Sequence, residues 1–412
     1  MRISIRLFAL TLGVCAIHAM AGPSRARAHA PLILVSIDGF RADYLDRGIT
    51  PTLAMLARDG VRAAALRPVF PSLTFPAHYA IVTGLYPDHN GIVNNRMIDP
   101  ATGKRFSYTD RTTTTDPSWW GGEPIWVSVE KHGLHSATMF WPGSGVAIEG
   151  IRPSHWRKFD GRITATQRVD QILAWLALPA DRRPVFLTLY FGTVDHAGHR
   201  HGPDSVEVDA ALRTVDAALG RLVSGLRRRG LYARSNLVIV SDHGMTATGP
   251  DRVIVLDRVV DTRHIYLLNS GVLAGMRAKR GRDAEVEHAL LAPHAHMRCW
   301  KKSAMPARLH YGTHPRIAPL LCLADDGWTI RMQDSLERPG RRISRGQHGY
   351  DNADPNMRAL FIAHGPAFRH GLVVPEFDSV DVYPLLAHLL GIPPLANDGD
   401  FDAVAGMLKT PP

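Results

Sequence analysis

The chain is 412 residues long, 45% hydrophobic and 21% charged, with a formal net charge of +10. That balance excludes a disordered or fibrous chain and describes a globular protein with a sizeable core, built as one large domain or as one with an inserted subdomain. Nothing repeats at a fixed period, and no run after residue 30 is long and apolar enough to cross a membrane.

The first 30 residues read as a cleaved export signal. Arg2 and Arg6 form a positive end, Leu7 to Ala21 an apolar stretch, and Ala19-Met20-Ala21 and Ala28-His29-Ala30 offer small-residue sites for cleavage after Ala21 or Ala30. A buried first helix fits the basic flank poorly. Residues 31–412 are then expected to form the mature domain, periplasmic or secreted and without a membrane anchor. Cleavage after Ala30 removes Arg2, Arg6, Arg25 and Arg27 and no acid, so +10 becomes +6. Such an excess steers an anionic small molecule. No stable nucleic-acid partner is expected, because the basic runs at 227–229 and 338–346 lack interleaved aromatics.

Beyond the signal, short apolar runs alternate with helical patterns, which predicts an α/β fold with a central, mostly parallel sheet flanked by helices. A strand over Leu32–Ile37 runs directly into Asp38-Gly39, and a helix follows over Thr50–Asp59. Next, Thr74 lies between Pro71 and Pro76, ahead of a helix over Pro76–Thr83. Taken alone this is a turn feeding a helix, since proline is welcome in a first turn. His78, one turn further, either packs or supports a neighbouring group. A strand over Val185–Tyr190 leads into Asp195-x-x-x-His199, whose spacing stacks the two side chains on one helix face. His196 and His201 are read as supporting or exposed. After a helix over Ser205–Arg229, a strand over Leu237–Val240 leads into Ser241-Asp242-His243-Gly244.

From about 251 to 345 the periodicity fades, and the segment reads as a smaller inserted or edge subdomain partly covering a cleft. It holds Cys299 and Cys322; an exported chain is expected to bridge them, two buried thiols being the alternative. Gly346-Gln347-His348-Gly349, a strand over Ala359–Ala363 and a helix over Ser379–Leu390 complete the chain.

In an open α/β sheet, ligands bind beyond the carboxyl ends of the strands. One aspartate there is commonly a helix cap; three strand ends carrying Asp38, Asp195 with His199, and Asp242 with His243 are harder to dismiss. With His348 they suit zinc or a similar divalent ion, dividing into two sites of three protein ligands with positions open to substrate. Thr74 then has chemistry available to it. Its hydroxyl can be activated by a metal or a base, and the helix start favours an anion. It would attack phosphorus and form a phospho-threonine that water releases.

These residues belong to a longer series: Ile37-Asp38-Gly39, Phe70–Tyr79, Gly84-Leu85-Tyr86-Pro87, His89-Asn90-Gly91-Ile92, Asn94-Asn95, Glu123-Pro124-Ile125-Trp126, Phe140-Trp141-Pro142-Gly143, Asp195 to Pro203, Ser241–Met245, His348-Gly349 and Val382-Tyr383-Pro384. In number and order they resemble the nucleotide pyrophosphatase/phosphodiesterase family of the alkaline phosphatase superfamily, bacterial members in particular, over nearly all of the mature chain. The resemblance implies an alkaline phosphatase-like fold and two Zn2+ ions. One would be held by Asp195, His199 and His348, the other by Asp38, Asp242 and His243 with the Thr74 oxygen beside it. It implies that Asn95 donates a hydrogen bond to a non-bridging phosphate oxygen. Phe75 and Tyr190 would line a slot for the nucleobase or another leaving group, although a strand tyrosine is as readily a core residue.

The nucleophile segment lacks the arginine of a sulfatase motif, and threonine with Asn95 is similar to the diesterases rather than to the serine phosphatases. The implied activity is hydrolysis of phosphodiester or phosphoanhydride bonds in nucleotides, releasing a nucleoside monophosphate. A lysophospholipid or choline-phosphate phosphodiesterase and a non-catalytic secreted binding protein are the alternatives.

Overall fold

The computed structural model describes residues 30–337 and 343–409; all but the last residue of the expected export signal (1–30) and part of the basic run at 338–346 lie outside them. Eight strands form the central sheet: β1 (Leu32–Ile37), β2 (Val61–Ala63), β3 (Ser136–Met139), β4 (His155–Trp156), β5 (Phe186–Phe191), β6 (Asn236–Val240), β7 (Phe361–His364) and β8 (Leu372–Val374), in the spatial order β8-β2-β7-β6-β1-β5-β3-β4. β1 pairs in parallel with β5 on one side and β6 on the other, and β3 and β4 continue the parallel run. Only β7 runs against its neighbours. The sheet is therefore mostly parallel, as the alternating pattern predicts. β7 begins two residues later than the expected Ala359, because Ala359 instead bridges to Arg41 and Leu66.

Both faces of this sheet are covered, so the central strands are apolar at nearly every position. In β1, Leu32 and Leu34 enter one core while Ile33, Val35 and Ile37 enter the other. Helix Val206–Arg228 lays Leu212, Val215, Leu219, Leu222 and Leu226 on the second face, beside helix Ala165–Leu176. Helix Val382–Leu390 covers the first face. Each such side chain contributes about 1.5–3 kcal/mol when fully buried, which gives the strand ends a rigid base.

Residues 265–324 form a second sheet of four antiparallel strands, in the spatial order Ile265–Asn269, Leu273–Ala278, Leu320–Ala324, Met297–Lys301. Cys299 and Cys322 face each other across two of these strands, and their sulfurs are bonded, as expected of an exported chain. Among the described residues no helix is long and apolar enough to cross a membrane.

Candidate metal and nucleophile site

The sheet order explains why the site assembles. β5, β1 and β6 are adjacent, and their carboxyl ends open into Asp195 with His199, Asp38, and Asp242 with His243 respectively. Strands lie about 4.8 Å apart, so the three exits deliver their side chains into one crevice. Gly39 makes the approach possible: it holds φ +71°, and a Cβ there would stand 2.9 Å from the Cα of Asp195. The backbone N–H of Asp195 donates to the Asp38 carbonyl at 3.0 Å, fastening one strand exit to the next.

Two groups of side chains result. In the first, the Oδ1 of Asp195 lies 3.3 Å from the Nε2 of His199 and 3.6 Å from that of His348, and the two Nε2 atoms are 3.2 Å apart. Asp195 and His199 sit four apart on helix Thr193–His201, as their spacing predicts. In the second, the Nε2 of His243 lies 3.0 Å from Asp242 Oδ2 and 3.5 Å from Asp38 Oδ1. Thr74 is here too, its Oγ1 3.4 Å from the same Nε2. The groups adjoin, since Asp38, Asp195 and His243 also bring ligand atoms within 4.8 Å of one another.

The donor chemistry fits metal ions. Asp38 Oδ1, Asp195 Oδ1 and Asp242 Oδ2 are buried without a hydrogen-bond partner, a cost no fold leaves uncompensated. The three imidazoles are set the same way: Nδ1 of His199, His243 and His348 meets the carbonyl of Gly346, Gly244 and Ser72 at 2.7, 2.9 and 2.8 Å. A carbonyl only accepts, so Nδ1 carries the proton and Nε2 turns its lone pair into the crevice. Burial, and then its two imidazole neighbours, holds His348 well below the usual histidine range, and burial lowers His199 as well. Both are thus neutral ligands. Burial also pushes Asp195 up to about 7 and Asp38 well above the carboxylate range, where Asp242 and Asp195 add their charge. Without a cation these carboxylates hold protons that a divalent ion would displace.

Thr74 is the first residue of helix Thr74–Thr83, which begins two residues before the predicted Pro76. Pro76 remains inside the first turn, where its missing N–H has no partner to lose. The Oδ1 of Asn95 accepts from the Phe75 N–H at 2.9 Å. A backbone N–H can only donate, so this bond fixes the amide and leaves its Nδ2 as a donor for something else. His78 is buried, its Nδ1 donating to the Thr74 carbonyl at 2.8 Å and its Nε2 accepting from Ser36 Oγ at 2.7 Å, so that it ties the nucleophile segment to β1; Asp242 Oδ2 lies 3.1 Å from the same Nδ1, whose proton is already given to Thr74. His201 lies apart, 3.4 Å from Glu207.

Phe75 packs among Phe106, Tyr108 and Trp120. Tyr190 has a contact its sequence did not disclose, its hydroxyl donating to Asp38 Oδ2 at 2.6 Å. Phe159, half exposed, stands 6.3 Å from the Tyr190 ring and gives this edge an apolar surface that sequence reasoning missed. The only available signal was an exposed aromatic in a charged stretch. A cavity of about 530 Å³ opens from His199 and His348, walled by Asn95, Arg96, Tyr108, residues 267–273 and Arg331.

Fold and crevice together define an alkaline phosphatase-like enzyme with an Asp/His site suited to metal ions. The family model "Type I phosphodiesterase / nucleotide pyrophosphatase" matches residues 32–351, and the chain belongs to that family. It is 39% identical over 384 residues to an uncharacterized pyrophosphatase/phosphodiesterase of Schizosaccharomyces pombe, covering 90% of this chain and 79% of the relative. It is 38% identical over 393 residues to ectonucleotide pyrophosphatase/phosphodiesterase family member 1 of Homo sapiens, covering 92% of this chain and 42% of the relative, so it spans less than half of the human protein. The structure of murine ectonucleotide pyrophosphatase/phosphodiesterase 5 superposes with a TM-score of 0.87 at 35% identity, covering 92% of this chain and 100% of the murine one. An inactive threonine-to-alanine variant of that murine protein, solved in complex with AMP, matches with the same TM-score at 36% identity.

Proposed function

We propose that residues 31–412 form an exported two-zinc hydrolase that cleaves phosphodiester or phosphoanhydride bonds of nucleotides and releases a nucleoside monophosphate through a phospho-threonine on Thr74. The observation that carries this reading is the position of Thr74: its hydroxyl opens a helix and lies beside a crevice holding three buried carboxylate oxygens without partners. The murine variant, inactivated by loss of a threonine yet in complex with AMP, supports the same assignment.

Asp195, His199 and His348 would hold one ion, and Asp38, Asp242 and His243 the other. Bound there, zinc supplies Lewis-acid stabilisation of phosphoryl oxygens and lowers the pKa of a coordinated hydroxyl. Thr74 Oγ1 forms the bond to phosphorus while the leaving oxygen takes the electron pair of the bond that breaks, on the side where Asp195, His199 and His348 converge. Asn95 Nδ2, oriented by the Phe75 N–H, donates to a non-bridging oxygen. Water entering from the vacated side then bonds to phosphorus and breaks its bond to Thr74 Oγ1, which releases the nucleoside monophosphate and returns the Thr74 hydroxyl. Phe75 and its aromatic neighbours offer the base a stacking surface, with residues 251–345 forming an edge subdomain over the crevice.

The test is turnover of the nitrophenyl ester of thymidine monophosphate against nitrophenyl phosphate, with zinc, for wild type and Thr74→Ala. Strong diester preference that falls about a thousandfold or more in the variant, and disappears after chelation, is the expected result. Undiminished turnover by metal-stripped protein would overturn the two-metal reading.

A further inference from the structure

The central sheet places the metal ligands, but it does not place Asn95. That residue stands just ahead of a two-stranded ribbon, Arg96–Ile98 with Arg105–Ser107, which pairs with no other strand among the described residues. A lone ribbon of this kind is marginally stable by itself. The segment is held instead by a loop of the second sheet, residues 311–316, between strands Met297–Lys301 and Leu320–Ala324. Ahead of Asn95 in the chain, the Asp88 carboxylate accepts from the backbone N–H groups of Gly312, Thr313 and His314 at 3.0–3.2 Å and from the Thr313 hydroxyl at 3.0 Å. The buried Tyr311 donates its hydroxyl to the Val93 carbonyl at 3.0 Å. Its ring stands edge-on to Phe70 of the nucleophile segment, the centres 5.2 Å apart.

Arg316 completes the grip. Its Nε donates to Asp99 Oδ2 at 3.2 Å, its Nη1 to the carbonyls of Gly91 and Trp119 at 3.0 and 2.7 Å, and its Nη2 to that of Ser118 at 2.8 Å. The guanidinium also lies 4.7 Å from the centre of the Trp119 ring. Gly91 admits it, since a Cβ there would stand 3.0 Å from Nη1. One planar fork thus joins residues 91, 99, 118 and 119, which a lysine cannot reproduce. The bonds at 88, 91, 93 and 99 lie on both sides of Asn95 in the chain, and its Oδ1 is fixed in turn by the Phe75 N–H. We propose that loop 311–316 is a brace for the phosphate-oxygen donor, with Tyr311 and Arg316 as positioning residues that act through Asn95. The inference rests on the reading of Asn95 as that donor. Neither Tyr311 nor Arg316 lines the cavity at His199 and His348, so their effect on the reaction is one of geometry. A reacting group misplaced by about 1 Å can lose about 10² in rate.

The experiment is a double-mutant cycle on the zinc-supplemented full chain. It measures kcat and KM for the nitrophenyl ester of thymidine monophosphate in wild type, Asn95→Ala, Tyr311→Phe, Arg316→Ala and the combinations of the last two with Asn95→Ala. Tyr311→Phe keeps the ring on Phe70 and removes one hydrogen bond, so it decides the question even if Arg316→Ala folds poorly. With Asn95 present, kcat should fall about threefold to tenfold in Tyr311→Phe and about 10–100-fold in Arg316→Ala, with KM little changed. With Asn95→Ala in place, the same changes should cost less than about twofold, because a brace does nothing further once the group it holds is gone. Equal losses in both backgrounds would make the two residues merely structural and overturn the proposal, as would an unchanged kcat in both single variants. If Asn95→Ala itself turns over normally while Thr74→Ala does not, the reading of Asn95 fails and the brace falls with it, leaving the nucleophile untouched.

Discussion

The crevice has two walls of different origin. One is made by the exits of β5, β1 and β6, where Asp195, Asp38, Asp242 and His243 are delivered from strands buried on both faces. The other comes from the second sheet and its surroundings, residues 267–273 with Arg331, facing Arg96 and Tyr108 across the cavity. The first wall is acidic, largely buried and set by backbone hydrogen bonds; the second is basic, partly exposed and carried on short antiparallel strands. The difference teaches that the candidate ligands sit where the sheet fixes geometry, whereas the facing wall sits where sequence can vary without disturbing the core.

Four results would sharpen or break that contrast. After Thr74→Ala, the largest effect on turnover is expected from Asn95→Ala: loss of its donor should lower kcat for the diester about 10²–10³-fold with little change in KM, and a pure KM effect would make Asn95 a binding residue only. Next comes Tyr190→Phe, which removes the bond to Asp38 Oδ2 and should weaken zinc affinity or activity about tenfold, read by metal titration. If metal binding and activity are both unmoved, the tyrosine is merely core.

A third test concerns protons. Asp195 is raised to about 7, Asp38 lies well above the carboxylate range, and the Asp242 charge outweighs burial to raise His243 to about 10, whereas burial lowers His199 and His348, which are neutral in both states once the pH is well above the ordinary histidine value. A raised carboxylate stabilises the fold only while it is protonated. Metal-stripped protein should therefore lose stability as pH rises from 6.5 through 7 and beyond, and zinc should remove that slope. A flat Tm in the stripped protein would show that the carboxylates do not share a site.

Smallest in turnover is the paired change Cys299→Ser with Cys322→Ser. Their separation of 23 residues gives the bridge a value of about 3 kcal/mol by loop closure, visible by hydrogen exchange in the second sheet. Zinc content should be unaltered. A loss of zinc would mean that the two walls are not independent.

Much of the first wall was legible because parallel strands advertise themselves as continuous apolar runs and their functional residues follow at once: β1 is predicted to the residue, and Asp195 and His199 announce their shared face by spacing. The resemblance to the family supplied Asn95 and the division of the ligands. Less was legible where elements are short. β2, β3, β4 and β8 have two to four residues each, too few to show a period. The second sheet hid because Leu273–Met276 is buried without alternation, and nothing in sequence brings Arg331 to Arg96. Tyr190 shows the other limit: its strand was evident, but the partner of its hydroxyl, Asp38, comes from the exit of the neighbouring strand β1, more than 150 residues earlier in the chain.

The central claim is that the Thr74 oxygen carries the phosphoryl group. The most direct measurement is rapid acid quench of zinc-supplemented enzyme with nucleotide labelled at the α-phosphorus, followed by peptide mapping. Label recovered on Thr74 within the first turnover, and none in Thr74→Ala, is the predicted result. Steady product release with no label on any residue would show that water attacks phosphorus directly, and would contradict the role of Thr74 as nucleophile.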